Sequence, residues 1–238
     1  MRVVVLTGAG ISAESGLGTF RDAGGVWTRV RLEDVATPEA YAAEPAMVQA
    51  FYDARRAQAL AAEPNAAHRA LAELERRLAG EGGQLTIVTQ NVDDLHERAG
   101  SKRVLHMHGE LFRVRCTGCD SVLEWREKLS GDADGAGRGA PCPSCGAPLR
   151  PHIVWFGEVP FHMDEIADAV LEADLFAAIG TSGAVYPAAG YVDLARSGGV
   201  RTLQMNLEPS ENALLFDERR YGPATEVVPE WAASVSSR

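Results

Sequence analysis

The sequence lacks three features that would each assign it to a particular class of protein. It contains no run of about 18 apolar residues, so we expect no helix that spans a membrane. It enters a strand pattern at 2–6 without a secretory leader, so we expect a cytoplasmic protein. Basic residues are in the minority, with 23 Lys and Arg against 33 Asp and Glu, and the net charge of −10 argues against direct nucleic-acid binding. A basic peptide remains open as a partner.

Cysteine is scarce as well, and its placement is informative. The chain has 4 cysteines, which form two Cys-x-x-Cys pairs, Cys116 with Cys119 and Cys142 with Cys145. Two such pairs can place four thiolates tetrahedrally around one Zn²⁺ ion. Disulfides are the alternative, but a cytoplasmic location disfavours them. Because four thiolates leave no coordination position open, we predict one structural zinc ion rather than a catalytic one.

The remaining chain has the alternating strands and helices of an α/β protein. Its 238 residues, 46% of them hydrophobic, suit one large domain that carries a smaller insertion. We predict a doubly wound, Rossmann-like parallel sheet with an inserted small domain, which consists of a helical segment and a zinc module. We predict that the Rossmann-like domain consists of residues 1–36, 81–112 and 151–238. The helical segment is predicted at 37–80 and the zinc module at 113–150.

Individual elements follow from hydrophobic periodicity and from turn residues. Thr37-Pro38 and Glu44-Pro45 predict helix starts, and Asn65 predicts the cap of a further helix. The predicted strands are 2–6, 85–89, 103–107, 122–125, 175–179, 202–206 and 224–228. The other predicted helices are 92–99, 163–173, 187–196 and 229–235.

A glycine-rich turn follows the first strand. Gly8-x-Gly10-x-x-Ala13 matches the dinucleotide-binding pattern, in which glycines let main-chain N–H groups approach a phosphate beside a helix N-terminus. A plain tight turn explains the same residues. The second strand and ribose-binding acid of a dehydrogenase do not follow. Further glycines enclose Thr-Phe-Arg-Asp at 19–22, which favours a long loop that closes over a ligand.

Polar residues follow two later strands. Gln90, Asn91 and Asp93 come after one strand, and His106 and His108 close the next. Ligands of open α/β sheets bind at the carboxyl ends of the strands, so Gln90, Asn91, Asp93 and His108 could line one site. On residue types alone, an ordinary helix cap and satisfied histidines are the favoured explanation.

One helix carries a possible recognition pair. Tyr52 and Arg55 are three residues apart and therefore lie on one helix face. From spacing alone, a half-buried tyrosine and a solvated arginine are the favoured explanation of the pair.

Taken together, these motifs resemble the sirtuin family of NAD-dependent protein deacylases. They occur in family order over nearly the whole chain: GAGIS at 8–12, GLGTFRD at 16–22, TQNVD at 89–93, HG at 108–109, the four cysteines, FGE at 156–158, GTS at 180–182 and NLE at 206–208. Tyr52-x-x-Arg55 further resembles class III sirtuins, which act on acidic acyl groups. That resemblance makes both residues candidates for the substrate site.

The resemblance implies NAD as co-substrate, with its diphosphate near Gly8 and Gly180. It places the adenosine ribose by Asn206 and Glu208, the adenine by Ala224, and the nicotinamide side by Gln90, Asn91 and Asp93. The full implied set is Gly8, Ala9, Gly10, Ile11, Ser12, Glu14, Phe20, Arg21, Asp22, Trp27, Gln90, Asn91, Val92, Asp93, Gly180, Thr181, Ser182, Asn206, Leu207, Glu208 and Ala224.

It also implies His108 as general base and Asn91 as a second catalytic residue. The implied residues for an acylated-lysine protein or peptide are Tyr52, Arg55, Val154, Phe156, Gly157 and Glu158. The implied reaction yields free lysine, nicotinamide and 2′-O-acyl-ADP-ribose. Two alternatives remain open: an ADP-ribosyltransferase, and a non-catalytic NAD sensor or adaptor.

Overall fold

Six parallel strands form the main sheet of the protein. The computed structural model describes residues 1–18, 31–130 and 137–236. In the described part the strand order is β3-β2-β1-β7-β8-β9, and every neighbouring pair is parallel. This is the doubly wound order, which confirms the predicted Rossmann-like fold. The strands are β1 (Arg2–Thr7), β2 (Gln84–Thr89), β3 (Val104–His106), β7 (Leu175–Ile179), β8 (Arg201–Asn206) and β9 (Glu218–Tyr221).

Helices cover both faces of this sheet, which explains why its central strands are continuously apolar. Side chains of β1 alternate between the faces. Val3 and Val5 pack with helices α4 (Ala66–Gly80) and α8 (Ala224–Ser234). Val4 and Leu6 pack with helices α6 (Met163–Leu171) and α7 (Tyr191–Ser197) on the other face.

A second, antiparallel sheet forms the zinc module. Its order is β5-β4-β6, from β4 (Gly109–Cys116), β5 (Val122–Glu124) and β6 (Leu149–Ile153). Helices α2 (Pro38–Ala43) and α3 (Pro45–Ala61) lie beside it. Phe51 and Tyr52 of α3 share a buried cluster with Leu111, Ile153 and Trp155. The helical segment and the zinc module therefore form one packed insertion.

Helix α4 packs with the main sheet instead. Its Leu71, Leu74 and Leu78 are buried in the cluster that contains β1. The predicted division at 37 and 80 stays a prediction, and this packing favours a boundary after α3.

The helix starts follow the sequence signals. The Thr37 hydroxyl accepts a hydrogen bond from the Ala40 N–H over 3.1 Å, and Pro45 opens α3. Asn65 forms a capping box with His68 at the start of α4. None of the helices in the described ranges has the length and apolarity needed to cross a membrane.

Three element predictions were wrong. Residues 224–228 belong to helix α8, and the last strand is the charged β9, Glu-Arg-Arg-Tyr, at the sheet edge. An edge strand faces solvent, so its sequence lacks the apolar pattern that identifies a strand. The helix at 92–99 begins later, as α5 (Leu95–Ala99), because the Asp93 carboxylate accepts the Leu95 N–H over 3.2 Å. The helix at 187–196 is divided into a 3₁₀ turn, Ala188–Gly190, and α7.

Candidate active site at the carboxyl ends of the strands

The cofactor-binding candidates that follow β1, β2, β7 and β8 lie at one edge of the main sheet. Strands β1, β2, β7 and β8 run in parallel and end at this edge. The strand order reverses between β1 and β7, and ligands of doubly wound sheets bind in the crevice at that point. Phe20, Arg21, Asp22 and Trp27 lie outside the described residues.

Two turns touch at this crevice through their glycines. The N–H of Gly10 donates to the main-chain oxygen of Gly180 over 2.9 Å. A Cβ on Gly8 would lie 2.7 Å from that oxygen, and one on Gly180 would lie 2.5 Å from the nitrogen of Ile11. Side chains are thus excluded where the turns meet, and main-chain groups line the edge. Such a surface fits a dinucleotide's diphosphate.

The helix that follows the first turn is shorter than the dinucleotide pattern implies. Helix α1 spans only Ala9–Ser12 and passes into a 3₁₀ turn, Ala13–Ser15. Its single turn contributes little helix dipole, because the dipole grows from many aligned peptide units. The glycines, rather than a long helix, define this part of the site.

Asn91 connects the end of β2 to the first turn. Its side-chain Nδ2 donates to the Gly8 main-chain oxygen over 3.2 Å and to the Ser12 Oγ over 3.1 Å. The Ser12 hydroxyl donates to the Asp93 carboxylate over 3.3 Å. Burial raises the pKa of Asp93 above its ordinary value. The predicted neighbours Ser12, Asn91 and Asp93 are therefore in one hydrogen-bonded group.

Two histidines that the sequence analysis did not single out extend this group inward. The Asn65 N–H donates to Nδ1 of His68 over 3.3 Å, so the His68 hydrogen is on Nε2, which lies 3.4 Å from the Ser12 Oγ. Burial lowers the pKa of His68 to about 4. His96 stands edge-on to His68 at 4.9 Å and contacts the Thr7 hydroxyl over 3.1 Å. Burial also holds the pKa of His96 well below its usual range, so both rings are neutral.

The available signal for His68 was its position three residues after the helix cap Asn65. Their spacing indicates that Asn65 and His68 can form a capping box. It does not indicate that Nε2 of His68 lies near the Ser12 hydroxyl. That contact joins residues 56 positions apart in the chain.

His106 and His108 end up in different environments. The Nδ1 of His108 lies 3.2 Å from the Gln90 main-chain oxygen, and burial lowers the pKa of His108. His106 contacts the Glu97 carboxylate over 2.7 Å and the Asn91 main-chain oxygen over 3.2 Å. Burial opposes its positive charge, but the bond to Glu97 raises the pKa of His106 overall. His108 thus favours the neutral form, with Nε2 not involved in this contact. His106 faces an acceptor oxygen at each ring nitrogen, which favours its protonated form.

The cofactor-binding predictions on β7, β8 and α8 fall at the same edge. Asn206 Oδ1 accepts the Thr181 N–H over 3.0 Å, and its Nδ2 donates to the Thr181 oxygen over 2.9 Å. The Glu14 carboxylate accepts both the N–H and the hydroxyl of Thr225, over 3.0 and 2.6 Å. These contacts tie the strand ends to one another and to the first turn of α8.

The other cofactor candidates differ in exposure. Leu207 and Glu208 are exposed after β8, and Ala224 is half-buried at the start of α8. The Ser182 hydroxyl accepts the Ala184 N–H over 3.2 Å. Ile11 is fully buried, and its main-chain oxygen accepts Asn65 Nδ2 over 2.8 Å. The half-buried Val92 accepts the Leu111 N–H over 2.8 Å through its main chain.

The acyl-binding candidates lie on α3, beside Trp155. The Trp155 Nε1–H donates to the Tyr52 hydroxyl over 2.9 Å, and both residues are buried. Arg55 is half-buried; burial lowers its pKa, and the Asp93 carboxylate opposes that shift. Arg55 is therefore within electrostatic reach of the residues on the nicotinamide side.

The loop after β6 is attached to the His108 segment and to the zinc module. The Val154 N–H donates to the His108 main-chain oxygen over 2.9 Å. Phe156 is 55% exposed and Gly157 has a φ of +90°, so the loop turns outward here. The Glu158 carboxylate accepts from Arg115 over 2.6 Å, and one of its oxygens accepts from Arg150 over 2.8 Å. Glu158 therefore holds the loop in place, and a direct contact between its side chain and substrate stays a prediction.

The four cysteines form the predicted metal site. All four are free thiols, and their sulfur atoms lie within 4.8 Å of one another. Zn–S bonds of about 2.3 Å in a tetrahedron give sulfur separations of about 3.8 Å. The Cys119–Cys142 separation is 3.8 Å and the Cys116–Cys145 separation is 3.3 Å. The cluster is thus positioned to bind one metal ion and fits Zn²⁺.

Main-chain groups orient the thiols. The N–H groups of Gly118 and Cys119 point to the Cys116 sulfur over 3.3 and 3.4 Å, and the Ser144 N–H points to the Cys142 sulfur over 3.4 Å. Such donors favour thiolates, which are the metal-binding form.

Comparisons with known proteins agree with this geometry. The model of the Sir2 family matches residues 8–187. A protein of Caulobacter vibrioides named NAD-dependent protein deacylase is 56% identical over 240 residues, which cover 100% of this chain and 98% of the relative.

Two solved structures are similar over nearly the whole chain. The crystal structure of a Sir2 homologue–NAD complex is 40% identical with a TM-score of 0.87, covering 98% of this chain and 88% of the other. A structure described as Sir2 bound to acetylated peptide is 28% identical with a TM-score of 0.81, covering 96% of this chain and 90% of the other.

Proposed function

The chain belongs to the Sir2 family, and from that premise we propose that it removes acyl groups from protein lysines at the expense of NAD. The products are free lysine, nicotinamide and 2′-O-acyl-ADP-ribose. NAD supplies the ribose to which the acyl group is transferred. The single observation that carries the proposal is the contact between His108 and Gln90. A carbonyl oxygen only accepts hydrogen bonds, so Nδ1 of His108 carries the hydrogen and Nε2 is the proton acceptor.

A neutral imidazole is the form required of a general base. Burial lowers the pKa of His108, which keeps the ring unprotonated at about pH 7. In this role Nε2 would accept the proton of a ribose hydroxyl after the acyl oxygen has displaced nicotinamide from C1′. The 2′-oxygen would then bond to the acyl carbon, and water would release the lysine amine to give 2′-O-acyl-ADP-ribose. Asn91 and Asp93 orient the ribose side of the site through the Ser12 contacts described above.

The peptide substrate adds to the exposed main chain of the loop at 156–158 and of the segment at 183–186. Gly157, with its φ of +90°, turns the first of these outward. Binding as an added strand uses main-chain hydrogen bonds, which accept many sequences. The acyl chain then enters beside Tyr52, Arg55 and Val154.

We propose further that the acyl pocket accepts succinyl and malonyl groups as well as acetyl. Burying a carboxylate without a partner costs several kcal/mol. This is about the stability that a protein loses when one partner of a buried salt bridge is removed. Arg55 supplies a half-buried cation and Tyr52 a buried hydroxyl on the same helix face.

The cytoplasmic location expected from the sequence also remains a prediction. The four free thiols agree with a reducing compartment.

The test compares acyl groups on one peptide. The protein is incubated with NAD and peptides that carry acetyl-, succinyl- or malonyl-lysine, and both nicotinamide and deacylated peptide are measured. We expect the two products in equal amounts for each accepted acyl group. Label from NAD that remains on protein would instead support an ADP-ribosyltransferase, and NAD binding without nicotinamide release would support a sensor.

A further inference from the structure

The Tyr52 hydroxyl has a fixed hydrogen-bond polarity. Its oxygen receives the Trp155 Nε1–H over 2.9 Å, and an indole nitrogen can only donate. A hydroxyl that accepts from Trp155 keeps its own hydrogen for another partner. Within the described residues, no acceptor for that hydrogen is present. The phenol is therefore set to donate to whatever enters beside it.

Trp155 is itself held on several sides. The Arg150 guanidinium lies 3.3 Å from the centre of the Trp155 ring, and the Tyr41 ring lies 5.3 Å away. The Trp155 main-chain N–H donates to the Glu158 carboxylate over 2.8 Å. Because Trp155 is 2% exposed and so enclosed, its indole has little freedom to turn its N–H elsewhere.

Arg150 in turn is fixed by the zinc module and the substrate loop. Its two terminal nitrogens contact the Glu158 carboxylate over 2.8 and 3.0 Å, and one of them donates to the Ile153 main-chain oxygen over 3.0 Å. Arg150 is on strand β6, beside the metal-binding cysteines. A continuous set of contacts thus runs from Glu158 through Arg150 and Trp155 to Tyr52.

We propose that Trp155 is a positioning residue for acyl selectivity, which holds the Tyr52 hydroxyl as a hydrogen-bond donor toward the carboxylate of an acidic acyl group. The inference rests on the proposed function. A carboxylate only accepts hydrogen bonds, so it gains from a hydroxyl whose hydrogen is already directed to it. An acetyl group carries no such acceptor at its end and gains nothing from the same orientation.

The experiment is a double-mutant cycle on selectivity. Trp155→Phe removes the indole N–H and keeps an aromatic ring, and Tyr52→Phe removes the hydroxyl. For each variant and for the double variant, kcat/KM is measured with succinyl- and acetyl-lysine on one peptide. We expect Trp155→Phe to lower the succinyl-to-acetyl ratio by about threefold to tenfold, the scale of one hydrogen bond. In the Tyr52→Phe background the same substitution should leave the ratio unchanged.

A matched control removes a different indole N–H. Trp125 belongs to the zinc module, and its Nε1 has no hydrogen-bond partner among the described residues. Trp125→Phe should leave the ratio as in the wild type. Because both substrates are measured in one preparation, a loss of folded protein cancels from the ratio. Where Trp155→Phe yields no folded protein, Trp155→Leu is measured in the same way.

Three results would overturn the proposal. One is a Trp155 variant that lowers both activities equally, and another is a ratio that falls as much in the Tyr52→Phe background as without it. Either would leave the proposed function standing, since the wild type would still desuccinylate. A wild type that deacetylates but does not desuccinylate would refute the acidic-acyl specificity, and with it the role of Trp155.

Discussion

Nδ1 of His108 lies 3.2 Å from the main-chain oxygen of Gln90, and this contact decides which ring nitrogen serves the reaction. We predict that His108→Ala keeps the fold and NAD binding but lowers turnover by about two or more orders of magnitude, the usual scale for a general base. NAD affinity is measured by calorimetry and turnover by nicotinamide release. Near-normal turnover in a folded His108→Ala protein would refute the assignment.

The acid side of the pH profile should report His108 as well. A base acts only when unprotonated, and burial lowers the pKa of His108. As pH falls, kcat/KM should therefore hold until below about pH 6.5, the ordinary histidine value, and only then decline. His106→Gln is the matched control, because that neighbouring histidine uses its two ring nitrogens to contact Glu97 and the Asn91 main-chain oxygen rather than Gln90. If the acidic limb of the pH profile shifts in His106→Gln, then His106 rather than His108 causes the decline.

Arg55 should matter for acidic acyl groups and little for acetyl. We expect Arg55→Met to reduce desuccinylation relative to deacetylation by about 2–3 kcal/mol in kcat/KM, as for a hydrogen bond to a charged group. Tyr52→Phe should give a smaller change in the same direction. Arg69→Met, at an exposed position on α4, is the control. Equal loss of both activities in Arg55→Met would make the residue structural.

The metal should stabilise the zinc module. Cys116→Ser removes one of four ligands, and we expect loss of bound metal together with a lower melting temperature, since the module has only a small buried cluster. Metal content is measured by mass spectrometry and melting by calorimetry. Ser144→Ala changes an exposed side chain in the same module and should alter neither. A folded, fully active and metal-free Cys116→Ser protein would contradict the structural role.

His68 should make the protein sensitive to acid. Its folded-state pKa of about 4 lies below the value of about 6.5 expected in the unfolded chain, so between these values the unfolded state binds more protons. Lowering pH through this window therefore removes stability, by up to about 3 kcal/mol in total.

The measurement is the free energy of unfolding as a function of pH. His68→Gln should flatten the decline between about pH 6.5 and pH 4, whereas the exposed His162→Gln should not. An unchanged slope in His68→Gln would show that other groups carry the effect, with the buried His96 as the first to examine.

The sequence was sufficient for features whose physical cause is local. The predicted strand at 175–179 has the bounds of β7, because a buried parallel strand is apolar at every position. The spacing of the two cysteine pairs predicted the metal-binding cluster. The family resemblance was confirmed by the match to the model of the Sir2 family. The cofactor-site candidates that follow β1, β2, β7 and β8 lie at one edge because these strands are parallel, as expected for an open α/β sheet.

Contacts between distant segments could not be read from the sequence. The family resemblance implied Glu158 as a substrate residue, and nothing in the sequence indicated that its carboxylate accepts from Arg115, 43 positions away. The buried pair of His68 and His96 joins two helices, and neither helix pattern marks it. Charged β9 was missed because its pairing with β8, rather than its own composition, makes it a strand.

Strand β4 joins the segment after His108 directly to Cys116, and this limits how the gene can change in length. Inserting one residue into a strand moves every later side chain to the opposite face. The register of its pairing with β6 already shifts between Glu110 and Val114, so a one-residue bulge can form there without changing the pairing that follows. Val114, Arg115 and Cys116 pair continuously with β6, so an insertion among them would change their register. In a library of single-codon insertions selected for deacylation, the last three positions of β4 should therefore be depleted more strongly than the register shift that precedes them.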